Sequence, residues 1–193
     1  MTRRTARRMI GIAGAPGAGK STYAQRLVAR SMRDGVLAAY LPMDGFHLAD
    51  VALTALGILD RKGAPETFDA WGYAALLTRV RAAEHLVWAP GFARDLEQPL
   101  AGAVAVPADA ELVVTEGNYL LLDRPEWRAA RDALDEVWFL DCPDDVRRPR
   151  LVARHVAFGK PAAEAEAWVA RVDDANAALV AASRGRADRV VTG

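Results

Sequence analysis

The chain has a single cysteine, Cys142, among 193 residues, which excludes an intrachain disulfide and a cysteine-based zinc cluster. It also lacks net charge: 25 basic residues balance 25 acidic ones, so the sequence offers no broad basic surface for a nucleic-acid partner. No apolar run approaches the roughly 18–20 residues that a membrane helix needs, and no membrane contact is predicted. The basic start, Thr2-Arg3-Arg4-Thr5-Ala6-Arg7-Arg8, leads straight into an apolar run without the hydrophobic region of a signal peptide. Residues 1–8 read as a short solvated tail, and a cytoplasmic location is expected. Internal repeats, low-complexity tracts and linkers are missing too, so residues 1–193 read as one domain. Lysine is scarce, with only Lys20, Lys62 and Lys160 among the 25 basic residues. That bias suggests lysine is kept where a compact ammonium serves better than a planar fork.

What is present is a soluble globular balance, 52% hydrophobic and 26% charged, which rules out disorder. The segment 9–14 is apolar and ends in glycine, as a buried first strand does. Residues 19–33 carry Tyr23, Leu27, Val28 and Met32 at helical spacing and stop near Asp34-Gly35. Strands are predicted over 36–43, 111–115, 136–140 and 188–192. Helices are predicted over 48–56, over 69–86 with Trp71, Leu76, Leu77 and Val80 on one side, and over 144–158 and 161–183. Residues 88–107 are rich in proline and glycine and read as loop. Apolar strands alternating with helices give an α/β class: a parallel sheet covered on both faces, a three-layer sandwich.

The most specific segment is Gly14-Ala15-Pro16-Gly17-Ala18-Gly19-Lys20-Ser21, followed by Thr22. It matches G-x-x-x-x-G-K-[ST] in full and sits between a predicted strand and a predicted helix. Its glycines let backbone N–H groups turn onto phosphate oxygens, and the helix that follows adds its positive dipole end. Lys20 would reach the β- and γ-phosphates, and Ser21 would ligate Mg²⁺. Gly14 to Thr22 is therefore a nucleoside triphosphate site, with ATP and Mg²⁺ as the expected ligands.

Two further strands end in carboxylates on the same sheet edge. Met43-Asp44-Gly45-Phe46-His47 offers Asp44 as a base for an attacking hydroxyl. Thr115-Glu116-Gly117-Asn118-Tyr119 offers Glu116 as the Mg²⁺-side carboxylate. A turn or helix-cap role is the bland alternative for each. Asp141 competes with Glu116 by its own apolar run, but Gly117 allows close backbone approach where Cys142-Pro143 does not.

With these residues in view, the sequence resembles the P-loop kinases that include uridine kinase, phosphoribulokinase and bacterial pantothenate kinase. Within them it is most like the bacterial nucleoside/nucleotide kinase-like proteins, also described as fructose transport system kinases. The resemblance is carried by the P-loop, 43–47, Arg61-Lys62-Gly63-Ala64-Pro65-Glu66-Thr67-Phe68-Asp69, Glu116 to Leu121, and Arg150-Leu151-Val152-Ala153-Arg154-His155. It implies a sheet of order 2-3-1-4-5, Asp44 as catalytic base, and an acceptor site lined by Arg61 and Lys62, with His47 and Tyr119 beside them. Pro90-Gly91-Phe92-Ala93-Arg94 resembles the stretch that sets an aromatic and a basic residue against the substrate, which nominates Arg94. Arg147, Arg150 and Arg154 recur at i, i+3 and i+7, one face of a helix. The resemblance makes residues 144–160 a lid whose arginines, Arg150 and Arg154 in particular, neutralise the transferred phosphoryl.

The expected activity is ATP-dependent transfer to a hydroxyl of a small molecule: a nucleoside, a pantothenate-like compound or a sugar. The alternative is a nucleotide-dependent switch or chaperone acting on a protein partner. That reading needs a guanine-selecting Asn-Lys-x-Asp segment, and none of the three lysines lies in one. Uridine kinases tend to carry Asp-Ser-Phe-Tyr where this chain has Asp44-Gly45-Phe46-His47, so nucleoside specificity does not carry over. The sequence leaves a homodimer open.

Overall fold

The computed structural model describes residues 7–193. Five strands, β1 (Arg8–Ala13), β2 (Ala38–Pro42), β5 (Leu112–Glu116), β6 (Glu136–Asp141) and β7 (Arg189–Thr192), form one parallel sheet of order β2-β5-β1-β6-β7. Counted among themselves, these are strands 2-3-1-4-5, the order implied by the resemblance. Successive side chains of a strand face opposite sides. Met9 and Ala13 therefore join one core and Ile10 and Ile12 the other. Helix α1 (Lys20–Arg33) covers the second core through Ala24 and Val28. Helices α3 (Ala70–Ala82) and α4 (Pro125–Asp132) cover the first, burying Tyr73, Leu77, Val80 and Trp127. Truncating a side chain such as Leu77 to alanine would cost about 2–5 kcal/mol there.

Several expectations change. Residues 88–107 are not loop: β3 (Val87–Ala93) and β4 (Gln98–Val106) pair as an antiparallel hairpin. Its prolines are accommodated because the register shifts between Ala89 and Gly91, around Pro90, and because a two-stranded sheet has free edges. The single helix read over 161–183 is α6 (Ala162–Trp168) and α7 (Asp174–Ala181), joined by a π-helical turn over Val169–Asp173. Trp71 and Met32 are exposed rather than packed, since Tyr73, Leu76, Leu77 and Val80 fill the buried stripe of α3 and Val28 that of α1.

The basic tail also ends earlier than read. Residues 1–6 lie outside the described region, while Arg7 is buried and donates to the carbonyls of Val80, Pro107, Ala108 and Ala110. Carbonyl acceptors satisfy its guanidinium, so it ties the start of β1 to the ends of α3 and the hairpin. Arg8 opens β1 and pairs with Glu136 at 2.6 Å. Helices α2 (Asp50–Ala55) and α5 (Asp144–Ala157) complete the chain on the side of the strand carboxyl ends. Among the described residues no helix is long and apolar enough to cross a membrane.

Candidate active site

Register sets the site. Glu116 stands level with Ile12 on one side and Pro42 on the other. The segments leaving β1, β2 and β5 therefore emerge together at one sheet edge, where the chain direction reverses across the sheet and ligands bind. They border a cleft of about 890 Å³.

The P-loop leaves β1 and ends at the first turn of α1. Gly17 and Gly19 hold φ of 79° and 90°, left-handed values open to glycine. Pro16, Gly17, Gly19, Lys20, Ser21 and Thr22 line the cleft. Gly14, Ala15 and Ala18 form the frame behind them; Ala15 borders a smaller second cavity. Lys20 is buried, and its Nζ donates to the Ala15 carbonyl at 3.0 Å and to Asn118 Oδ1 at 2.6 Å. Burial pushes its pKa down to about 8, against the pull of Glu116 and Asp44. Asn118 had no role in the sequence reading. Its position two residues past Glu116, on the same edge, was the available signal.

Ser21 Oγ donates to Glu116 Oε1 at 3.0 Å, and the Tyr40 hydroxyl donates to the same oxygen at 2.8 Å. Glu116 is buried. Burial and then the charge of Asp44 hold its carboxyl above the usual range, opposed by Lys20, Tyr40 and Ser21. Among the described residues no cluster of three or more His, Cys, Asp or Glu groups gathers to hold an ion. Mg²⁺ needs only one or two protein oxygens, with water and phosphate completing its octahedron. The Ser21–Glu116 oxygen pair fits that requirement.

Asp44 lies in a 3₁₀ turn, Met43–Phe46, directly after β2. Gly45 and Gly117 earn their places by contact rather than torsion. A Cβ on Gly45 would stand 2.2 Å from the Pro90 carbonyl oxygen, and one on Gly117 2.3 Å from Met43 Sδ. Removing the side chains lets the hairpin and the β5 edge close on the Asp44 turn. Arg94 Nη2 donates to Asp44 Oδ2 at 2.6 Å. Burial works to raise the pKa of Asp44, but the charges of Arg94, Lys20 and Arg154 outweigh it and hold the carboxyl below its ordinary value. The carboxylate is thus ionised and able to accept a proton.

His47 Nδ1 lies 2.8 Å from the Asp44 carbonyl oxygen. A carbonyl only accepts, so Nδ1 carries the proton and Nε2 keeps its lone pair. Burial, which exceeds the opposing effect of Asp44, lowers the pKa of this ring and keeps it neutral. Phe68 and Phe92 flank it at centroid distances of 4.0 and 4.8 Å. Lys62 lines the cleft, bonded to Asp50 Oδ1 at 2.6 Å and to the Glu97 carbonyl, with its ammonium 5.9 Å from the Phe92 centroid.

Two nominated acceptor residues do not reach the cleft. Arg61 is exposed and pairs with Glu66 outside it, because the 3₁₀ turn Leu59–Arg61 turns neighbouring side chains apart. Tyr119 is fully buried and donates to the Gly63 carbonyl, so it props up the 61–69 segment from behind.

The predicted arginine stripe divides. Arg147 is buried between Asp144 at 2.6 Å and Asp174, the first residue of α7, at 2.7 Å. Arg150 and Arg154 line the cleft, with Arg150 Nη1 3.8 Å from where a Cβ on Gly19 would be. The α6–α7 segment adds Trp168, Asp173 and Asn176. Asp173 pairs with His155 of α5 at 2.8 Å, and Asn176 donates to the Gly63 carbonyl at 3.3 Å. These residues carried no motif, and only the π turn, a feature frequent at functional sites, marks them.

Residues 9–80 match the model of the phosphoribulokinase/uridine kinase family. The chain is similar to a crystallised protein of Silicibacter sp. TM1040 described as a candidate fructose transport system kinase. Identity is 37%, the TM-score is 0.90, and the match covers 99% of this chain and 92% of that one. It is 34% identical to the ATP-dependent kinase-like protein notR' of Aspergillus versicolor, over 78% of this chain and 94% of that protein. It is 33% identical to a candidate uridine kinase of Schizosaccharomyces pombe, over 82% of this chain and 71% of that protein.

Proposed function

We propose, from the premise that the chain belongs to the phosphoribulokinase/uridine kinase family of P-loop kinases, that it transfers the γ-phosphate of MgATP to a hydroxyl of a small molecule. The enzyme class is that of a small-molecule phosphotransferase. The observation that carries the finer reading is that Asp44 lines the same cleft as Lys20, Ser21 and Glu116.

In this reading the P-loop N–H groups and Lys20 bind the β- and γ-phosphates, so Lys20 leaves Asn118 for the incoming anion. Ser21 and Glu116 would hold Mg²⁺, which when bound would supply neutralisation of the charge on the phosphates. The acceptor hydroxyl meets Asp44, which accepts its proton as the oxygen attacks phosphorus. Arg150 approaches from α5 beside the P-loop and stabilises the equatorial oxygens, while Arg154, one turn further along the helix, lines the same cleft. A coupled ADP-release assay over nucleosides, pantothenate and sugars tests this. An acceptor should raise turnover well above hydrolysis, and Asp44→Asn should cut kcat by roughly 10²–10⁴-fold while MgATP still binds. Acceptor-independent ADP release that is unchanged in Asp44→Asn would reject it.

A further inference from the structure

The charges inside the cleft are unequally matched. Asp44 is paired with Arg94, Asp50 with Lys62 and Asp173 with His155, and Glu116 is bonded by Ser21 and Tyr40. The remaining acidic lining residues, Asp60 and Glu97, are exposed at the rim. Among the cations the balance is different. Lys160 lies 4.8 Å over the Trp168 ring, and Arg154, half-buried, forms no ion pair within 4 Å of a described residue. The interior therefore holds cationic groups without matching carboxylates.

Arg150 and Arg154 are one turn apart on α5, about 6 Å along the axis. Arg150 sits against Gly19 of the P-loop, on the donor side. Arg154 lines the same cleft as Arg94 of the hairpin; burial and then the charge of Arg94 lower its pKa, opposed by Asp173, Asp44 and Glu97. Arg94 itself rests on the Phe92 ring, 5.4 Å from the centroid, and among the described residues its ion-pair partner is Asp44. When Asp44 takes the acceptor proton it becomes neutral, and Arg94, on the same cleft as Arg154, loses its one ion-pair partner among the described residues. Unpaired buried charge is costly, and an anionic group on the acceptor would remove that cost. His47 adds a second constraint, because its Nε2 lone pair on the cleft wall accepts a hydroxyl hydrogen.

Resting on the kinase reading above, we propose that the acceptor is a small hydroxylated anion, bound through its carboxylate or phosphate between Arg94 and Arg154, with a hydroxyl donating to His47 Nε2. An uncharged nucleoside or polyol is disfavoured. Arg94 and Arg154 then determine specificity, and Arg150 serves the donor.

The test is calorimetric binding to the MgADP-loaded protein, using matched pairs. Glycerate is set against glycerol and gluconate against glucose for a carboxylate; ribose 5-phosphate is set against ribose for a phosphate; uridine stands apart as a neutral nucleoside. In at least one pair the anion should bind roughly tenfold or more tighter than its neutral partner, and the preference should fall to near unity in both Arg94→Gln and Arg154→Gln. MgADP affinity in each variant confirms that it is folded. The proposal is overturned if a neutral compound binds as tightly as any anion, if the preference survives both substitutions, or if no anion binds below about 10 mM. Anion binding that depends on both arginines, without phosphoryl transfer to any acceptor, would instead sink the kinase reading and leave this inference standing.

Discussion

Lys20 shows how the site is paid for by the fold. Its ammonium is buried, and the empty protein offers it only a carbonyl and an amide oxygen at hydrogen-bond distance. Its folded pKa, about 8, lies below the unfolded value of 10.5, so the folded chain holds this proton less tightly. The cost is complete below pH 8 and is relieved as pH climbs from about 8 through 10.5. We expect Lys20→Met to raise the Tm of the metal- and nucleotide-free protein by a few degrees at pH 7 while abolishing ATP binding. The Tm gap between variant and parent should shrink as pH rises towards 10.5; a variant less stable than the parent at pH 7 would contradict the assignment. The P-loop, Asp44 and Glu116 were readable because each follows an apolar run by a fixed spacing. Asn118, Trp168 and Asn176 were not, since a polar or aromatic residue at a helix or strand end is ordinary until its neighbours are known. Arg61 and Lys62 were indistinguishable in sequence, and only the direction of a 3₁₀ turn sends one into the cleft and the other to Glu66.

At the scale of elements, the β3–β4 hairpin carries Phe92 and Arg94 into the cleft and touches the Asp44 turn at Gly45. A methyl group at Gly45 would collide with Pro90 backbone, which cannot yield as a flexible side chain can. Gly45→Ala should therefore destabilise the protein by about 1–3 kcal/mol and displace the hairpin. Thermal unfolding should show the loss, while MgADP affinity stays within twofold because the P-loop is untouched. A Tm equal to that of the parent would refute the close approach. The hairpin was hidden in the sequence because Pro90, Gly91, Pro99 and Gly102 are turn signals, and only a free-edged two-stranded pair tolerates so many. The long C-terminal helix was over-read for the opposite reason, as its composition continues helical through a π turn. Helix α1 was legible in extent and α3 at its start, but α3 stops at Ala82, where Ala83 turns left-handed, rather than at 86; Met32 and Trp71 lie off the buried stripes, and apolarity alone did not reveal that.

At the scale of the whole molecule, the α/β class followed from apolar strands alternating with helices. The strand order did not, because nothing local decides which neighbour a parallel strand takes; it came through the resemblance and agrees with the sheet. That order brings residues from Pro16 to Asn176 around one cleft, with the P-loop, the hairpin and the α5–α7 segment as three walls. The central claim is that this cleft moves a phosphoryl group onto an organic hydroxyl. The most direct measurement incubates the protein with ATP labelled at the γ-phosphorus and a pool of nucleosides, pantothenate, sugars, sugar acids and sugar phosphates, then separates the labelled products. The account predicts label in an organic phosphate ester, lost in Asp44→Asn. Label confined to inorganic phosphate, or ester formation that survives Asp44→Asn at the parent rate, would contradict it.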